Sequence, residues 1–101
     1  MSDRKEMTMP YTKAQIVMGT VSNAIEEADA KHGDNLHLTG LEWLAVLAEE
    51  FGEAAAIVTK REVPPVNLTA DSPTSRHLRD ELLQVAATAV RWVRAIDEQN
   101  R

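Results

Sequence analysis

The sequence predicts an all-α fold built from three long antiparallel helices. Apolar residues recur at spacings of three and four along three separate stretches, and capping signals or prolines mark where those stretches begin and end. No strand pattern, internal repeat or low-complexity tract is present. With 101 residues, 44% of them hydrophobic, and a formal net charge of −5, the chain has the composition of one small acidic domain with a modest core.

The composition also narrows the classes of partner and site. A nucleic acid polymer is an unexpected partner, because the chain is acidic and has no basic cluster beyond Lys60-Arg61. The absence of cysteine excludes a disulfide scaffold, a thiolate zinc site and a cysteine nucleophile. No stretch reaches the 18 apolar residues that span a bilayer, and residues 1–6 lack the apolar region of a signal peptide. We therefore expect a cytoplasmic protein with no membrane partner.

Residues 1–11 form a charged lead-in that contains Pro10, and we expect this segment to be flexible. The helical domain then covers residues 12–101. Its first helix starts at a capping box, in which Thr12 accepts from the Gln15 amide and the Gln15 side chain reaches back. This helix ends near Gly33, which suits the left-handed conformation common after a helix.

The second helix starts at another capping box, Thr39 to Glu42, and is predicted to run to about Glu62. Val63-Pro64-Pro65 ends it, because proline lacks an amide donor and disfavours helical geometry in the residue before it. One apolar stripe of this helix is predicted to face the core. Its members are Leu41, Leu44, Leu47, Phe51, Ala55 and Val58.

The third helix follows a loop, with Ser72 as N-cap and Pro73 at the first helical position, and is predicted to run to about Glu98. Its apolar stripe consists of Leu78, Leu82, Val85, Ala89, Trp92, Val93 and Ile96. Further apolar residues lie off the main stripes, among them Val46, Ile57 and Val90. Because three helices leave these uncovered, we expect a homodimer that completes a four-helix bundle, or a homotetramer of such units.

The second helix also carries a cluster of acids. Glu49 and Glu53 are a like-charge pair one turn apart, which costs an isolated helix about 0.2–0.5 kcal/mol. A bound cation would make the interaction of these carboxylates favourable. Glu50 and Glu53 together offer the oxygen ligands that Mg²⁺ prefers. A solvated acidic stripe is the alternative interpretation. Glu81 favours the metal, since an antiparallel third helix can set it opposite Glu50 and Glu53.

The two acidic stretches resemble those of the MazG-like all-α nucleoside triphosphate pyrophosphohydrolases. That family carries Glu-x-x-Glu on one helix and Glu-x-x-Asp on the next, and this chain has Glu49-Glu50-Phe51-Gly52-Glu53 and Glu81-Leu82-Leu83-Gln84. The resemblance implies hydrolysis of an NTP or dNTP to the monophosphate and pyrophosphate with Mg²⁺, or with Mn²⁺. It further implies that Glu50, Glu53 and Glu81 bind the metal. Glu49 would be another ligand or the base that orients the attacking water.

Gln84 departs from the family pattern, which has Asp at this position. A neutral amide is a weaker ligand than a carboxylate for a hard cation, although its carbonyl oxygen can still coordinate one. The change leaves four outcomes open: one metal fewer, an altered substrate, substitution by Asp80, or loss of activity. Asp80 points about 100° away from Glu81 on a helix and is therefore a poor replacement.

Three further residues are candidates for contacting the substrate. Arg91 shares a polar stripe with Glu81 and Gln84 and could meet phosphates. Lys60 could do the same, or could complement the dipole at the end of its helix. Trp43 could stack on a base, with a place in the core or at an oligomer contact as the alternative.

Three functions remain compatible with the sequence. The first is a Mg²⁺-dependent pyrophosphohydrolase of nucleoside triphosphates. The second is a catalytically weakened member that keeps the helical fold as an oligomeric nucleotide-binding or regulatory module. The third is an unrelated helical interaction domain whose acids form a solvated face. The first two differ in whether the site still binds Mg²⁺ with Gln84 in place of Asp.

Overall fold

The computed structural model describes residues 10–60 and 73–101, and within these ranges every regular element is a helix. Helix α1 covers Lys13–His32, α2 covers Gly40–Lys60 and α3 covers Pro73–Gln99. The prediction of an all-α chain with three helices is confirmed. The predicted lead-in up to residue 9, the predicted end of the second helix near Glu62, the loop after it and the Ser72 cap lie outside the described residues.

Helix α1 begins at the predicted capping box and ends at the predicted glycine, but the ψ of Gly33 differs from the left-handed helical conformation that the sequence predicts. The Gln15 amide donates to Thr12 Oγ1 over 3.1 Å, and the Thr12 amide donates to Gln15 Oε1 over 2.8 Å. At the other end Gly33 has φ 79° and ψ 175°, a combination that is almost confined to glycine. Its amide donates to the carbonyl of Asp29 over 2.8 Å, so that one of the last carbonyls of α1 has a partner.

The capping box that starts α2 is also present. The Glu42 amide donates to Thr39 Oγ1 over 3.1 Å, and the Thr39 amide donates to Glu42 Oε1 over 2.8 Å. The backbone and side-chain hydrogen bonds from Thr39 lower the pKa of Glu42. Reciprocal capping therefore fixes where the chain leaves the connection of residues 33–39 and enters the helix.

Helix α3 lies between the other two and packs against both. It runs antiparallel to α2, because Ile57 near the end of α2 clusters with Leu78 near the start of α3, while Trp43 near the start of α2 lies beside Arg91. It runs parallel to α1, whose Asp29 contacts Arg91 near the end of α3. Helices α1 and α2 do not pack against each other, and the space between them is a cleft with α3 as its floor.

The predicted core stripe of α2 is wrong for the single chain. Leu41, Leu44, Phe51 and Val58 are 77%, 50%, 61% and 41% exposed. The buried residues of α2 are Trp43, Ala54 and Ile57, which lie on the side that also carries Glu50. Helix α2 has apolar residues on two sides, and the side with fewer large apolar residues is the one that packs against α3.

The predicted apolar stripe of α3 is confirmed only in part. Leu78, its first residue, is buried, whereas Leu82, Val93 and Ile96 are about half exposed, and Arg91 of the polar stripe is buried together with Thr88. The structure is flat and extended, with principal-axis extents of 54 × 48 × 20 Å and a Cα radius of gyration of 17.1 Å, above the roughly 12–13 Å of a compact domain of this length. None of the described helices has an apolar stretch that could cross a membrane.

Candidate metal centre

The cleft between α1 and α2 has a volume of about 670 Å³ and contains most of the residues that the sequence singles out. Acidic side chains of α2 and α3 line one end. The connection after α1 and the start of α2 line the other end, with Asn35, Leu38 and Trp43. Trp43 and Glu50 are seven positions apart, which corresponds to about 10.5 Å along a helix, so the cleft has room for an extended ligand.

Three carboxylates converge at the acidic end. Glu50 and Glu53 come from successive turns of α2, and Glu81 comes from the facing turn of α3. One oxygen from each lies within 4.8 Å of the other two. This convergence follows from the antiparallel packing of α2 on α3, as the sequence predicts, and it gives the geometry in which three oxygens can share one cation.

The convergence is electrostatically unfavourable without a counter-charge. Burial, followed by the charges of Glu53 and Glu49, raises the pKa of Glu50. Hydrogen bonding with Glu81 and the charge of Glu81 raise the pKa of Glu53, against a smaller lowering effect of His77. A proton or a metal cation shared among these carboxylates would relieve the repulsion.

Glu81 has an oxygen that no described group satisfies. Its Oε2 is buried and accepts no hydrogen bond within the described residues. Its Oε1 lies 3.7 Å from His77 Nε2, one turn earlier on α3. A buried carboxylate oxygen without a donor is costly, and a cation bound between Glu81 and the α2 acids would supply the missing partner.

Glu49 and Gln84 also line the cleft, beside the three carboxylates. Glu49 is exposed, whereas Gln84 is half-buried on the turn after Glu81. Gln84 is therefore placed where its carbonyl oxygen could add a fourth ligand. Asp80 is exposed and lies outside the cleft lining, in agreement with the helical geometry that makes it a poor substitute.

Arg91 is held by protein groups at the other end of the cleft. The residue is 4% exposed, and its Nε donates to Asp29 Oδ1 over 3.0 Å and its Nη2 to the Gly33 carbonyl over 2.7 Å. Its guanidinium lies 5.6 Å from the centre of the Trp43 ring, a cation–π distance. These contacts tie α1, the connection and α2 to α3, so the structure gives Arg91 a positioning role.

Asp29 is the residue that sequence reasoning missed. It accepts hydrogen bonds from Arg91 and, over 2.9 and 2.8 Å, from both terminal nitrogens of Arg94. The hydrogen bonds from Arg94 and then the one from Arg91 lower the pKa of Asp29, against some desolvation. Arg91 and Arg94 are 62 and 65 residues away from Asp29 in the sequence, so no local sequence pattern predicts these contacts.

Trp43 and Lys60 are the other two candidates for contacting the substrate, and the structure describes the side chain of Trp43 alone. Trp43 is 1% exposed, and Arg91 covers one face of its ring, so a base could stack there only after a rearrangement. Its Nε1 is buried and has no described acceptor. Lys60 is the last residue of α2, and its side chain lies outside the described part of the chain.

The α1 wall of the cleft adds groups that sequence reasoning left out. Glu27, Lys31 and His32 line the cleft from this side. Glu27 and Lys31 are one turn apart, which places them on one face of α1. Lys31 and His32, near the end of α1, are the nearest candidates on this wall for meeting negative charge in a ligand. The spacing of three and four from Ala24 and Ala28, which also line the cleft, is the signal that could have found them.

Comparison of the chain with protein-family models, with curated proteins and with solved structures finds no match. Fold and site together define an all-helical chain with a carboxylate cluster at one end of a cleft.

Proposed function

We propose that this chain is a Mg²⁺-dependent nucleoside triphosphate pyrophosphohydrolase of the cytoplasm that acts as a homo-oligomer. The observation that carries the proposal is the convergence of Glu50, Glu53 and Glu81, with one oxygen of each within 4.8 Å of the others. Those residues are also the ones that the MazG-like pattern assigns to the metal. The cleft beside them is large enough for an elongated ligand.

The residues present fit a hard divalent cation. Glu50, Glu53 and Glu81 would bind it through carboxylate oxygens, and the Gln84 carbonyl oxygen is a further neutral ligand. Glu81 Oε2 lacks a donor among the described residues, and burial, followed by the charges of Glu53 and Glu49, raises the pKa of Glu50, so a bound cation would give both carboxylates a partner. Mn²⁺ has the same preference for oxygen ligands and is the alternative ion.

In the proposed reaction, water attacks the α-phosphorus, the bond from that phosphorus to the α–β bridging oxygen breaks, and the monophosphate and pyrophosphate leave. Bound Mg²⁺ would neutralise charge on the phosphate oxygens and lower the pKa of coordinated water. Glu49, which is exposed and lines the cleft, would accept the proton of the attacking water or serve as a further metal ligand. Lys31, on the α1 wall, is placed to compensate charge on the polyphosphate.

A second candidate is a nucleotide-binding or regulatory module with weakened catalysis. Gln84 favours it, because this residue lines the centre and carries no charge where the family pattern has a carboxylate. If three carboxylates are too few for catalysis, the cleft would still bind a nucleotide with its cation. Restoring the carboxylate with Gln84→Asp distinguishes the two candidates.

The test is release of pyrophosphate from a panel of NTPs and dNTPs with Mg²⁺ or Mn²⁺. We compare wild type with Glu53→Gln, and with Glu26→Gln as the matched control, since Glu26 is an exposed acid of α1 outside the cleft lining. The hydrolase proposal predicts metal-dependent release that Glu53→Gln abolishes and Glu26→Gln keeps. Release that appears only in Gln84→Asp would support the binding module, and release that Glu53→Gln leaves unchanged would contradict both.

A further inference from the structure

A second groove lies between α1 and α3, and we call it the α1–α3 groove. It has a volume of about 560 Å³, within the roughly 300–1,000 Å³ of small-molecule pockets. Most of its lining side chains are apolar, and α1 contributes Val17, Met18 and Val21. The groove shares no lining residue with the cleft that contains the carboxylates. The proposed reaction therefore leaves this groove without a role.

The α3 wall of the groove changes in character along its length. Arg76 and Arg79 line the end nearest the start of α3, whereas Leu82 and Ala86 line the other end. Arg79 and Ala86 are seven positions apart, which corresponds to about 10.5 Å along the helix. No acidic residue is among the described residues that line the groove. The groove thus has one cationic end and one apolar end.

The cationic end also lies near the N-termini of two helices. Helices α1 and α3 run parallel, so both begin at this end, and the start of a helix carries a positive partial charge. Neither helix has an acidic residue in its first turn. Lys13 lies one turn before Val17 on α1 and adds a further positive charge. This end is positive although the chain as a whole has a net charge of −5, so it complements an anionic group.

Arg79 is the residue best placed to bind such a group. It is exposed, and it makes no ion pair with any residue in the ranges 10–60 and 73–101 that the structure describes. A guanidinium presents its N–H donors in a planar fork that matches the two oxygens of a carboxylate. A carboxylate bound to Arg79 would have the apolar part of the groove directly beside it.

We propose that the α1–α3 groove binds a free fatty acid, with its carboxylate on Arg79 and its chain running past Leu82 toward Ala86. The chain would cover apolar surface that is now in water, since Val17 and Leu82 are 46% and 49% exposed. A dissolved molecule is favoured over a lipid within a membrane. The net charge of −5 opposes approach to a negatively charged bilayer surface.

This inference does not depend on the proposed function, because the groove and the cleft have separate linings. Fatty-acid binding and metal-dependent release of pyrophosphate can be measured on the same variants. Glu53→Gln should lose pyrophosphate release and keep fatty-acid binding, whereas Arg79→Gln should do the reverse. Failure of one proposal is therefore distinguishable from failure of the other.

The first experiment is isothermal titration calorimetry with dodecanoate below its micelle concentration. Dodecyltrimethylammonium has a chain of the same length and a cationic head, and Arg101→Gln is the matched control for Arg79→Gln, since Arg101 is exposed and lies outside the groove lining. We expect one dodecanoate per chain, a clear preference over the cationic amphiphile, and binding about tenfold weaker in Arg79→Gln only. No binding to wild type, or equal binding of the two amphiphiles, would overturn the proposal.

The second experiment places a negative charge inside the groove. Val17→Asp should abolish dodecanoate binding, and Ile16→Asp should keep it, because Ile16 is the neighbouring residue, is 61% exposed and does not line the groove. Arg79→Gln, at an exposed position, keeps the test decisive if Val17→Asp fails to fold.

Two other occupants of the groove would be recognised by their own signals. Sedimentation velocity detects a second copy, and flotation with anionic vesicles of phosphatidylserine detects a membrane. Self-association that Val17→Asp abolishes, in a chain that binds no dodecanoate, would assign the groove to a second copy and overturn the proposal. Binding to the vesicles without binding of free dodecanoate would overturn it as well.

Discussion

Replacing Asp29 by alanine tests the contacts that hold the three helices together. The substitution removes the acceptor of one hydrogen bond from Arg91 and two from Arg94, and leaves Arg91, 4% exposed, with the Gly33 carbonyl as its remaining acceptor. Removing one partner of a fully buried ion pair costs roughly 3–5 kcal/mol. The Asp29 and Arg94 side chains keep 30% and 35% of their exposure, so water compensates in part, and we expect a loss of about 2 kcal/mol.

That loss corresponds to a fall in Tm of about 10 °C for a domain of this size. Thermal unfolding followed by circular dichroism measures it, with Asp97→Ala as control. Asp97 is an exposed aspartate in the last turn of α3, and its replacement should change stability by less than about 0.5 kcal/mol. Equal effects of the two substitutions would refute the role of Asp29.

The pH dependence of the same variant has a defined sign. The pKa of Asp29 lies below its ordinary value of 3.8, chiefly because Arg94 and Arg91 donate hydrogen bonds to its carboxylate. A lowered pKa in the folded state means that the stabilisation is present above pH 3.8 and is lost as the pH falls through the folded-state pKa. The difference in stability between wild type and Asp29→Ala should therefore be constant near neutral pH and narrow below pH 3.8.

Four further substitutions follow from the caps, the acids and the glycines. Glu50→Gln should stabilise the metal-free protein at pH 7 in EDTA, because the raised pKa of Glu50 means that ionising this carboxylate destabilises the folded state. The gain in stability should disappear near pH 4, where the carboxylate is protonated. A gain that is equal at both pH values would contradict this prediction. Gly33→Ala should lower the free energy of unfolding in urea by about 1–3 kcal/mol. Backbone strain alone causes this loss, since no atom lies within 4 Å of the added Cβ. Gly19→Ala, within α1, should instead stabilise the protein by about 1 kcal/mol, because alanine has the higher helix propensity. Thr39→Ala should cost about 1 kcal/mol by removing the cap of α2, and an unchanged denaturation midpoint would show that the capping box does not stabilise this helix.

The local features of the fold were predictable because they depend on residues close in sequence. Both capping boxes, at Thr12 and Thr39, recur in the structure with their reciprocal hydrogen bonds. The convergence of Glu50 and Glu53 with Glu81 needed one further assumption, that α3 runs antiparallel to α2. Short-range patterns and one topological rule together placed the carboxylates.

The packed side of α2 was not predictable in the same way. An apolar stripe shows that a surface is to be buried, without showing whether the partner is the same chain or another. Phe51 marks the stronger stripe and is exposed, whereas Ile57, on the acidic side, is buried against α3. The spacing of apolar residues shows which side of a helix is the more hydrophobic. It does not show which side packs against α3, and in the structure that is the side on which Trp43 lies beside Arg91.

The polar residues of α3 show a second limit of sequence reasoning. Arg91 fell on a polar stripe, which suggested a group available to ligand, yet the structure holds it buried against Asp29 and Gly33. A buried arginine needs acceptors, and these came from α1 and the connection after it, some 60 residues away. Its burial and its partners follow from tertiary structure alone.

The measurement that tests the central claim most directly is a titration with Mn²⁺ followed by electron paramagnetic resonance, on wild type, Glu53→Gln and Glu26→Gln. If Glu50, Glu53 and Glu81 hold a divalent cation, wild type and Glu26→Gln will bind Mn²⁺ with equal affinity, Mg²⁺ will displace it, and Glu53→Gln will bind it much more weakly. Gln84→Asp should bind more tightly than wild type, because a carboxylate replaces a neutral ligand. Binding to Glu53→Gln that equals binding to wild type would contradict the assignment of this cluster as a metal centre.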